Sequence, residues 1–294
     1  MKKRTESIQR IGVVGNSEKA SLGKAVREAA RQIQAAGRKL YSDPTTADLA
    51  GVRAIVCSDP ATLARKVDLL LVFGGDGTLL RVARDIAGCR TPLLGINIGS
   101  LGFLTAVPLR DLEKALKRVW EGEFLFESRA LLEAKGTCTG CAVVQTALND
   151  IVVSRGISSR LIELEVKIDD VPLTRYRCDG LVISSPTGST AYSLAAGGAV
   201  VFPTAAVMEI TPICPHTLSN RSVIVPLNSK IEVKIASPRP ATILSADGQV
   251  VSHLAEGDIV TIRRSRRTVR LMHLANTSFW ETLRLKLHWR GATM

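Results

Sequence analysis

The sequence predicts a two-part chain: an α/β N-terminal domain built on a parallel sheet, then a mainly-β, sandwich-like C-terminal domain. Three observations carry this. Through the first third, short apolar runs alternate with segments whose apolar residues recur every three and four positions, the pattern of strand, helix, strand. Beyond about residue 125 the period changes to two, as half-buried strands require. Turn signals such as Asp169-Asp170, Asp247-Gly248 and Glu256-Gly257-Asp258 then separate the short runs. The expected division is 1–110 for a nucleotide-binding α/β domain, 111–270 for a β-rich domain, and 271–294 for a C-terminal segment that docks back on the first.

Taken in order, Ile11-Gly12-Val13-Val14 is a buried strand, and Leu22, Ala25, Val26, Ala29, Ala30 and Ile33 mark one helix face that Gly37 ends. Leu69-Leu70-Leu71-Val72 and Leu93-Leu94-Gly95-Ile96 are further strands; Leu112, Leu116, Val119 and Trp120 mark another helix. In the second part Ile162, Leu164, Val166 and Ile168 alternate with Glu163, Glu165 and Lys167, and Ile231, Val233 and Ile235 repeat the pattern. A sandwich or a layered sheet would satisfy both. Arg263-Arg264-Ser265-Arg266-Arg267, between Ile259-Val260-Thr261-Ile262 and Val269-Arg270-Leu271, reads as a solvated hairpin loop. The tail of Phe279, Trp280, Leu283, Leu285, Leu287 and Trp289 is too apolar to hang free.

Composition excludes several classes. At 294 residues and 46% hydrophobic, the chain is globular and buries roughly three quarters of its unfolded surface. Low-complexity segments and repeats are absent. No apolar stretch reaches the ~18 residues of a membrane span, and Thr5-Glu6-Ser7 stands where a signal peptide would be apolar. A cytoplasmic location without membrane contact is expected. Six cysteines scattered through a chain of this size fit free thiols in a reducing compartment. Cys138-Thr139-Gly140-Cys141 has ligand spacing but lacks the second pair of a closed zinc site, so it reads as a structural hairpin tip. The 39 basic against 27 acidic residues give a net charge of +12 and call for an anionic partner. Nucleic acid fits poorly, because aromatics are 4% and no nucleic-acid-binding motif is present. Small phosphorylated substrates account for the charge.

Phe73-Gly74-Gly75-Asp76-Gly77-Thr78 is the most informative segment. It joins a buried strand to the apolar-periodic Leu79, Leu80, Val82, Ala83 and Ile86, so it is a loop opening a helix. Glycines there permit positive φ and let backbone N–H groups approach a phosphate, and the helix N-terminus adds partial positive charge. Gly74, Gly75, Gly77 and Thr78 form the candidate phosphate loop. A carboxylate among such amides is unfavourable unless it holds a metal, orients a hydroxyl or accepts a proton, so Asp76 is the candidate catalytic residue. A plain turn with Asp as N-cap is the bland alternative. The dinucleotide fingerprint fails where Leu80 replaces its third glycine, and no P-loop motif occurs.

A second strand, Cys178-Asp179-Gly180-Leu181-Val182-Ile183, runs into Ser184-Ser185-Pro186-Thr187-Gly188-Ser189-Thr190-Ala191-Tyr192 and a short helix closed by Gly197-Gly198. These small donors suit phosphate or ribose oxygens, or an ordinary capped turn. With Asn149-Asp150, the run Ile210 to Ser219 and Gly99-Ser100-Leu101-Gly102-Phe103-Leu104, the two motifs resemble the NAD kinase family over roughly residues 70–250.

The resemblance implies a NAD kinase-like two-domain fold and transfer of the ATP γ-phosphoryl group to the 2′-hydroxyl of the adenosine ribose of NAD. It further implies Mg²⁺ or another divalent cation held through the ATP phosphates rather than by protein ligands, and a homodimer or homotetramer in which a neighbouring subunit completes the site. By the same resemblance Asp76 is catalytic, with Gly77 and Arg81 beside it at the dinucleotide and phosphate; Asn149 and Asp150 hold NAD. Arg160, Arg177 and Asp179 lie around the substrate, Thr190, Ala191, Tyr192 and Ser193 line the adenosine pocket, and Gln249 is a further contact. Arg177 resembles the ATP-restricted members rather than those that also use polyphosphate. The chain departs from the family pattern at Ala199, where Pro is usual, and Asp150, where many members have Glu. A Gly-Gly-Asp-Gly lipid kinase and a non-catalytic NAD-binding regulator remain the alternatives.

Overall fold

The computed structural model describes residues 8–99, 101–105, 107–138, 141–157, 159–217, 219–237, 242–275 and 278–289; the side chains of 137, 138, 141 and 142 are outside the description. Ser100, Thr139, Gly140, the thiols of Cys138 and Cys141, and Leu218 of the run Ile210 to Ser219 therefore lie outside the described residues. The chain divides into two compact units, Met1–Ser128 with Val269–Met294, and Arg129–Thr268.

In the first unit the strands run Ile55–Val56, Lys39–Ser42, Arg10–Gly15, Leu69–Gly74, Leu93–Asn97 and then the last residues of Ile259–Leu274, with neighbours pairing parallel. Leu69–Gly74 is buried along its whole length, as a parallel strand covered on both faces must be. Strand order reverses between Arg10–Gly15 and Leu69–Gly74, because the chain first builds outward on one side and then on the other. Ligands of such sheets bind beyond the carboxyl ends of the strands at this reversal. Gly15 and Phe73 are cross-strand partners there, and the Asn16 N–H donates to the Phe73 carbonyl at 3.1 Å.

The helices follow their sequence signals. Leu22–Ala35 buries Leu22, Ala25, Val26, Ala29, Ala30 and Ile33, and Gly37 beyond its end takes a φ of 70°. Asp43 and Asp59 cap Pro44–Ala50 and Pro60–Lys66, each with proline in the first turn. The C-terminal helix Phe279–Lys286 belongs to this unit; it buries Leu283, and the Lys286 ammonium donates to the Leu101 carbonyl at 2.6 Å. No helix among the described residues is long and apolar enough to cross a membrane.

The second unit is antiparallel. One sheet runs Val223–Pro226, Val207–Ile213, Gly180–Ser184, Asp150–Arg155, Thr242–Ala246, Gln249–Leu254. Another set pairs Val171–Cys178, Ile162–Ile168, Ile231–Ile235 and Ile259–Leu274, with Phe124–Cys138 and Cys141–Ala147 beside it. The inward residues of both sets, among them Ile151, Leu181, Ile183 and Ile210 from one and Ile162, Leu164, Val233 and Ile262 from the other, form one core. This is sheet-on-sheet packing. Asp169-Asp170 and Asp247-Gly248 turn the chain with φ of 49°, 69°, 47° and 76°, the left-handed pair of a tight hairpin.

One reading fails. The arginine run is no hairpin loop but the middle of the continuous strand Ile259–Leu274. Alternation breaks on either side of buried Ser265, where Arg263 and Arg264, then Arg266 and Arg267, are exposed in consecutive pairs. Two polar residues in succession read as a chain end in a sequence, whereas here they mark local irregularities in a strand that does not stop.

Candidate active site

In the first unit, helix Asp76–Asp85 begins directly after the buried strand, with Gly75 extended at its N-cap (φ −103°, ψ −173°). The Thr78 and Leu79 N–H groups donate to the Gly75 carbonyl at 3.1 and 3.3 Å, and the amides before them, at the positive end of the helix dipole, are the ones a helix start leaves without an intrahelical acceptor. None of Gly74, Gly75 or Gly77 lies at positive φ, contrary to the reading that these glycines are needed for left-handed backbone. Gly74 alone of the three is needed for space. A Cβ on Gly74 would meet the Thr78 hydroxyl at 2.3 Å, while Cβ atoms on Gly75 and Gly77 would meet nothing within 4 Å. The latter two leave open room over the helix start.

The Asp76 carboxylate is clamped by the segment that follows strand Leu93–Asn97. Its Oδ2 accepts the Phe103 N–H at 2.8 Å; its Oδ1 accepts Leu104 N–H at 3.1 Å, Thr105 N–H at 2.9 Å and the Thr105 hydroxyl at 2.9 Å. Buried Asn97 donates to the Thr105 hydroxyl at 2.9 Å and accepts the Gly99 N–H at 2.8 Å, which orients the hydroxyl toward Asp76. A Cβ on Gly95 would lie 2.8 Å from the Thr105 Cα, and one on Gly102 would lie 1.9 Å from Asp76 Oδ1. Both glycines thus permit this segment to close on the carboxylate. Arg81, one turn further along, reaches the Gly15 carbonyl at 3.4 Å and lines a polar cavity of about 440 Å³ with Asn16, Ser17, Asp43 and Ser58.

In the second unit the Asp247 carboxylate does comparable work. From its turn it accepts the N–H groups of Leu148, Asn149 and Asp150 at 3.0, 2.7 and 3.3 Å. The Asn149 carbonyl accepts the Ser185 N–H at 2.8 Å, and a Cβ on Gly188 would stand 2.2 Å from that carbonyl. Asn149 Oδ1 is buried without a hydrogen-bond partner among the described residues, an acceptor that a ligand donor would satisfy. Thr187–Thr190 is a 3₁₀ turn and Tyr192–Ala195 a single helical turn. Tyr192 is half exposed, whereas the Ser193 hydroxyl is buried between Glu209 Oε2 and the Thr211 hydroxyl, 2.9 Å from each.

Two family models match: the ATP-NAD kinase N-terminal domain over residues 11–124 and the ATP-NAD kinase C-terminal domain over 148–274. An NAD kinase of Moorella thermoacetica is 42% identical over 97% of this chain and 91% of its own length. The chain belongs to the ATP-NAD kinase family. An NAD kinase of Ralstonia nicotianae is 37% identical over 97% of this chain and 94% of its own. Among solved structures, a yeast NADH kinase complexed with NADH has a TM-score of 0.88 at 28% identity, covering 99% of this chain and 90% of that one. An NAD kinase from Archaeoglobus fulgidus in complex with ATP has a TM-score of 0.74 at 26% identity, covering 96% and 100%. The resemblance and the fold class read from the sequence are borne out, and the activity is NAD kinase activity (EC 2.7.1.23) with ATP and NAD as substrates.

Within this kinase, Asn149, Asp150, Ser184 and Gln249 share one end of the antiparallel sheet, because Ser184 pairs with Asp150 and Ala246 pairs with both Ile151 and Gln249. Asp179 and Arg177 are not brought to that end. Asp179 precedes Gly180, five positions before Ser184 on the strand, a separation of ~17 Å at the rise of an extended chain. Asp179 is instead held by Arg155 at 2.6 Å, and Arg160 and Arg177 are exposed.

Several residues that build the geometry escaped the sequence reading as individuals: Asn97, Gly102 and Thr105 around Asp76, Asp247 and Gly188 around Asn149, and Glu209. Asp247 had a visible signal in its Asp-Gly turn, and Gly102 in the quoted Gly99 to Leu104 run. Glu209 had none. It is 1% exposed, and besides Ser193 it accepts the Ala199 N–H at 2.5 Å. That bond gives the departure at Ala199 a physical sense, since a proline there would have no N–H to offer. Ala199→Pro is expected to lower stability by about 1–3 kcal/mol, the cost of depriving a buried acceptor of a donor, and Ala199→Gly is expected to be milder. Thermal melts of the two variants check this; equal melting points would remove Glu209 from the account.

Burial, with the Asp247 carboxylate nearby as the lesser cause, pushes the Asp150 carboxyl up to about 7. A raised folded-state value means that the native state takes up a proton more readily than the unfolded chain. The resulting stability is fully present below about pH 4 and is lost as pH rises through about 7. At ~1.4 kcal/mol per unit the contribution is at most ~4 kcal/mol. Asp150→Asn should therefore flatten the pH dependence of the melting temperature between pH 5 and 8, gaining on the wild type at the alkaline end. Parallel curves for the two proteins would refute it.

Proposed function

We propose that Asp76 receives the proton of the NAD adenosine-ribose 2′-hydroxyl while that oxygen takes the γ-phosphoryl group of ATP. The O–P bond to the ribose forms, the bond from γ-phosphorus to the β–γ bridging oxygen breaks, and the proton goes to Asp76 Oδ2. The observation that carries this is the asymmetry of the clamp. Oδ1 accepts three hydrogen bonds and Oδ2 one, so Oδ2 keeps a lone pair for an incoming hydroxyl. Because phosphoryl transfer depends mostly on positioning and charge neutralisation, a carboxylate fixed from four sides is suited to the task.

The remaining assignments follow the same reading. Gly74, Gly75, Gly77 and Thr78 form the phosphate loop, the open space at Gly75 and Gly77 leaving their amides approachable. Arg81, from its polar cavity, neutralises donor phosphate. Asn149 and Asp150 hold the dinucleotide, with Gln249 at the same sheet end; Thr190, Ala191 and Tyr192 line the adenosine pocket, and Ser193 fixes their turn. The ~17 Å between Asp179 and the Asp150 end of the sheet favours Arg177 and Asp179 acting on the dinucleotide of a neighbouring subunit, in a homodimer or homotetramer, with Arg160 beside it.

The fit for a divalent cation is through the substrate. Among the described residues no group of three or more His, Cys, Asp and Glu could hold a metal ion, and the ATP phosphates supply the missing oxygens, as is usual for Mg²⁺. When bound it offsets the charge of the transferring group. The test is to incubate the protein with NAD, ATP and Mg²⁺ and follow NADP with an NADP-specific dehydrogenase, with a chelator tube and a polyphosphate tube in parallel. NADP with ATP that disappears with chelator is expected. Unchanged turnover under chelator would overturn the cation, and no NADP in any tube would overturn the whole reading.

A further inference from the structure

Within the second unit, Arg263, Arg264, Ser265, Arg266 and Arg267 line a cavity of about 540 Å³ with Glu133 and Lys135. In a regular strand consecutive arginines would point to opposite faces. Here the irregularities around Ser265, whose hydroxyl accepts the Arg267 N–H at 3.1 Å and whose side chain is buried, gather the run around one hollow. Burial pushes the Glu133 carboxyl up, but Lys135 and Arg263, each at 3.2 Å, together outweigh it and hold the carboxyl below the usual range. Arg264, Arg266 and Arg267 have no carboxylate partner among the described residues. Three arginines along one hollow without a carboxylate partner favour the entry of an anion.

We propose that this groove, lined wholly by residues of the second unit, binds a condensed phosphate chain of about three phosphates. Guanidinium forks match phosphate oxygens bidentately, and three of them offset most of the charge of a triphosphate. The lining has no aromatic or aliphatic residue to receive a base or an acyl chain, which disfavours nucleic acid and lipid. A free inorganic oligophosphate and the tail of a nucleoside triphosphate share this chemistry. The inference stands whether or not Asp76 is the base.

Calorimetric titration of the intact enzyme with sodium tripolyphosphate, ATP and orthophosphate, at two salt concentrations, tests it. Tripolyphosphate is expected to bind with an event that Arg264→Gln/Arg266→Gln/Arg267→Gln weakens at least ~10-fold and makes less salt-dependent. NADP formation by this variant should be unchanged, which shows that it folds; the triple Arg→Lys variant, which keeps the charge but loses the fork, should fall between. Should the Gln variant fail to fold, weakened binding by the Lys variant carries the test. ATP sharing the event identifies the triphosphate tail, and tripolyphosphate alone identifies free oligophosphate. Equal binding by wild type and Gln variant, no binding beyond the ATP site, or tighter capture of oligothymidylate than of tripolyphosphate would each overturn the proposal.

Discussion

Asp76→Asn is expected to lower kcat by ~10²-fold or more, the range for loss of a general base, while leaving the fold and the KM for NAD nearly unchanged. The clamp explains why the protein should tolerate it. The amide can keep its oxygen in the Oδ1 position, where Leu104 N–H, Thr105 N–H and the Thr105 hydroxyl converge. Only the Phe103 N–H then loses an acceptor, a cost of about 1–3 kcal/mol. Asp76→Ala is the informative companion, because it deprives all four donors. It should match Asp76→Asn in kcat and melt well below it, separating chemistry from tethering. Near-normal NADP formation by the Asn variant would remove Asp76 from the reaction.

The contrast between what was and was not legible in the sequence has a physical basis. Strands such as Leu69–Gly74 announce themselves because burial on both faces demands an unbroken apolar run, and Ile162–Ile168 because burial on one face demands alternation. The Gly-Gly-Asp-Gly loop was legible because four small or acidic residues after such a strand have few other uses. What holds Asp76 was not. Phe103 and Leu104 act through backbone N–H groups, which any residue except proline supplies, so their identity carries no signal, and the Thr105 hydroxyl that joins them is one of many threonines in the sequence. The same holds for Asp247, whose turn was visible but whose three contacts with 148–150 depend on which strands become neighbours. The arginine run misled for the opposite reason: its side chains looked like a loop, yet the backbone ladder that defines a strand is indifferent to them.

Both carboxylates hold backbone, Asp247 that of 148–150 and Asp76 that of 103–105. Asp76 is in addition faced by Gly102, where a Cβ would overlap the carboxylate.

Gly102→Ala should therefore be nearly as damaging to turnover as loss of the carboxylate. The added Cβ would fall 1.9 Å from Oδ1, 2.5 Å from Cγ and 2.7 Å from Oδ2 of Asp76. Relieving that overlap requires a displacement of more than ~1 Å, and a misplacement of this size can cost ~10² in rate. Gly102 does not lie at positive φ, so backbone strain does not contribute and the effect is steric. Stability should fall less than activity, because the loop can lift away and give up its hydrogen bonds to water. The double variant Asp76→Asn/Gly102→Ala distinguishes this account from general damage. If both changes act through the same carboxylate, the second should cost little once the first is made, as expected for groups that work as a unit. Full additivity of the two losses in kcat would mean that Gly102 serves something other than the placement of Asp76.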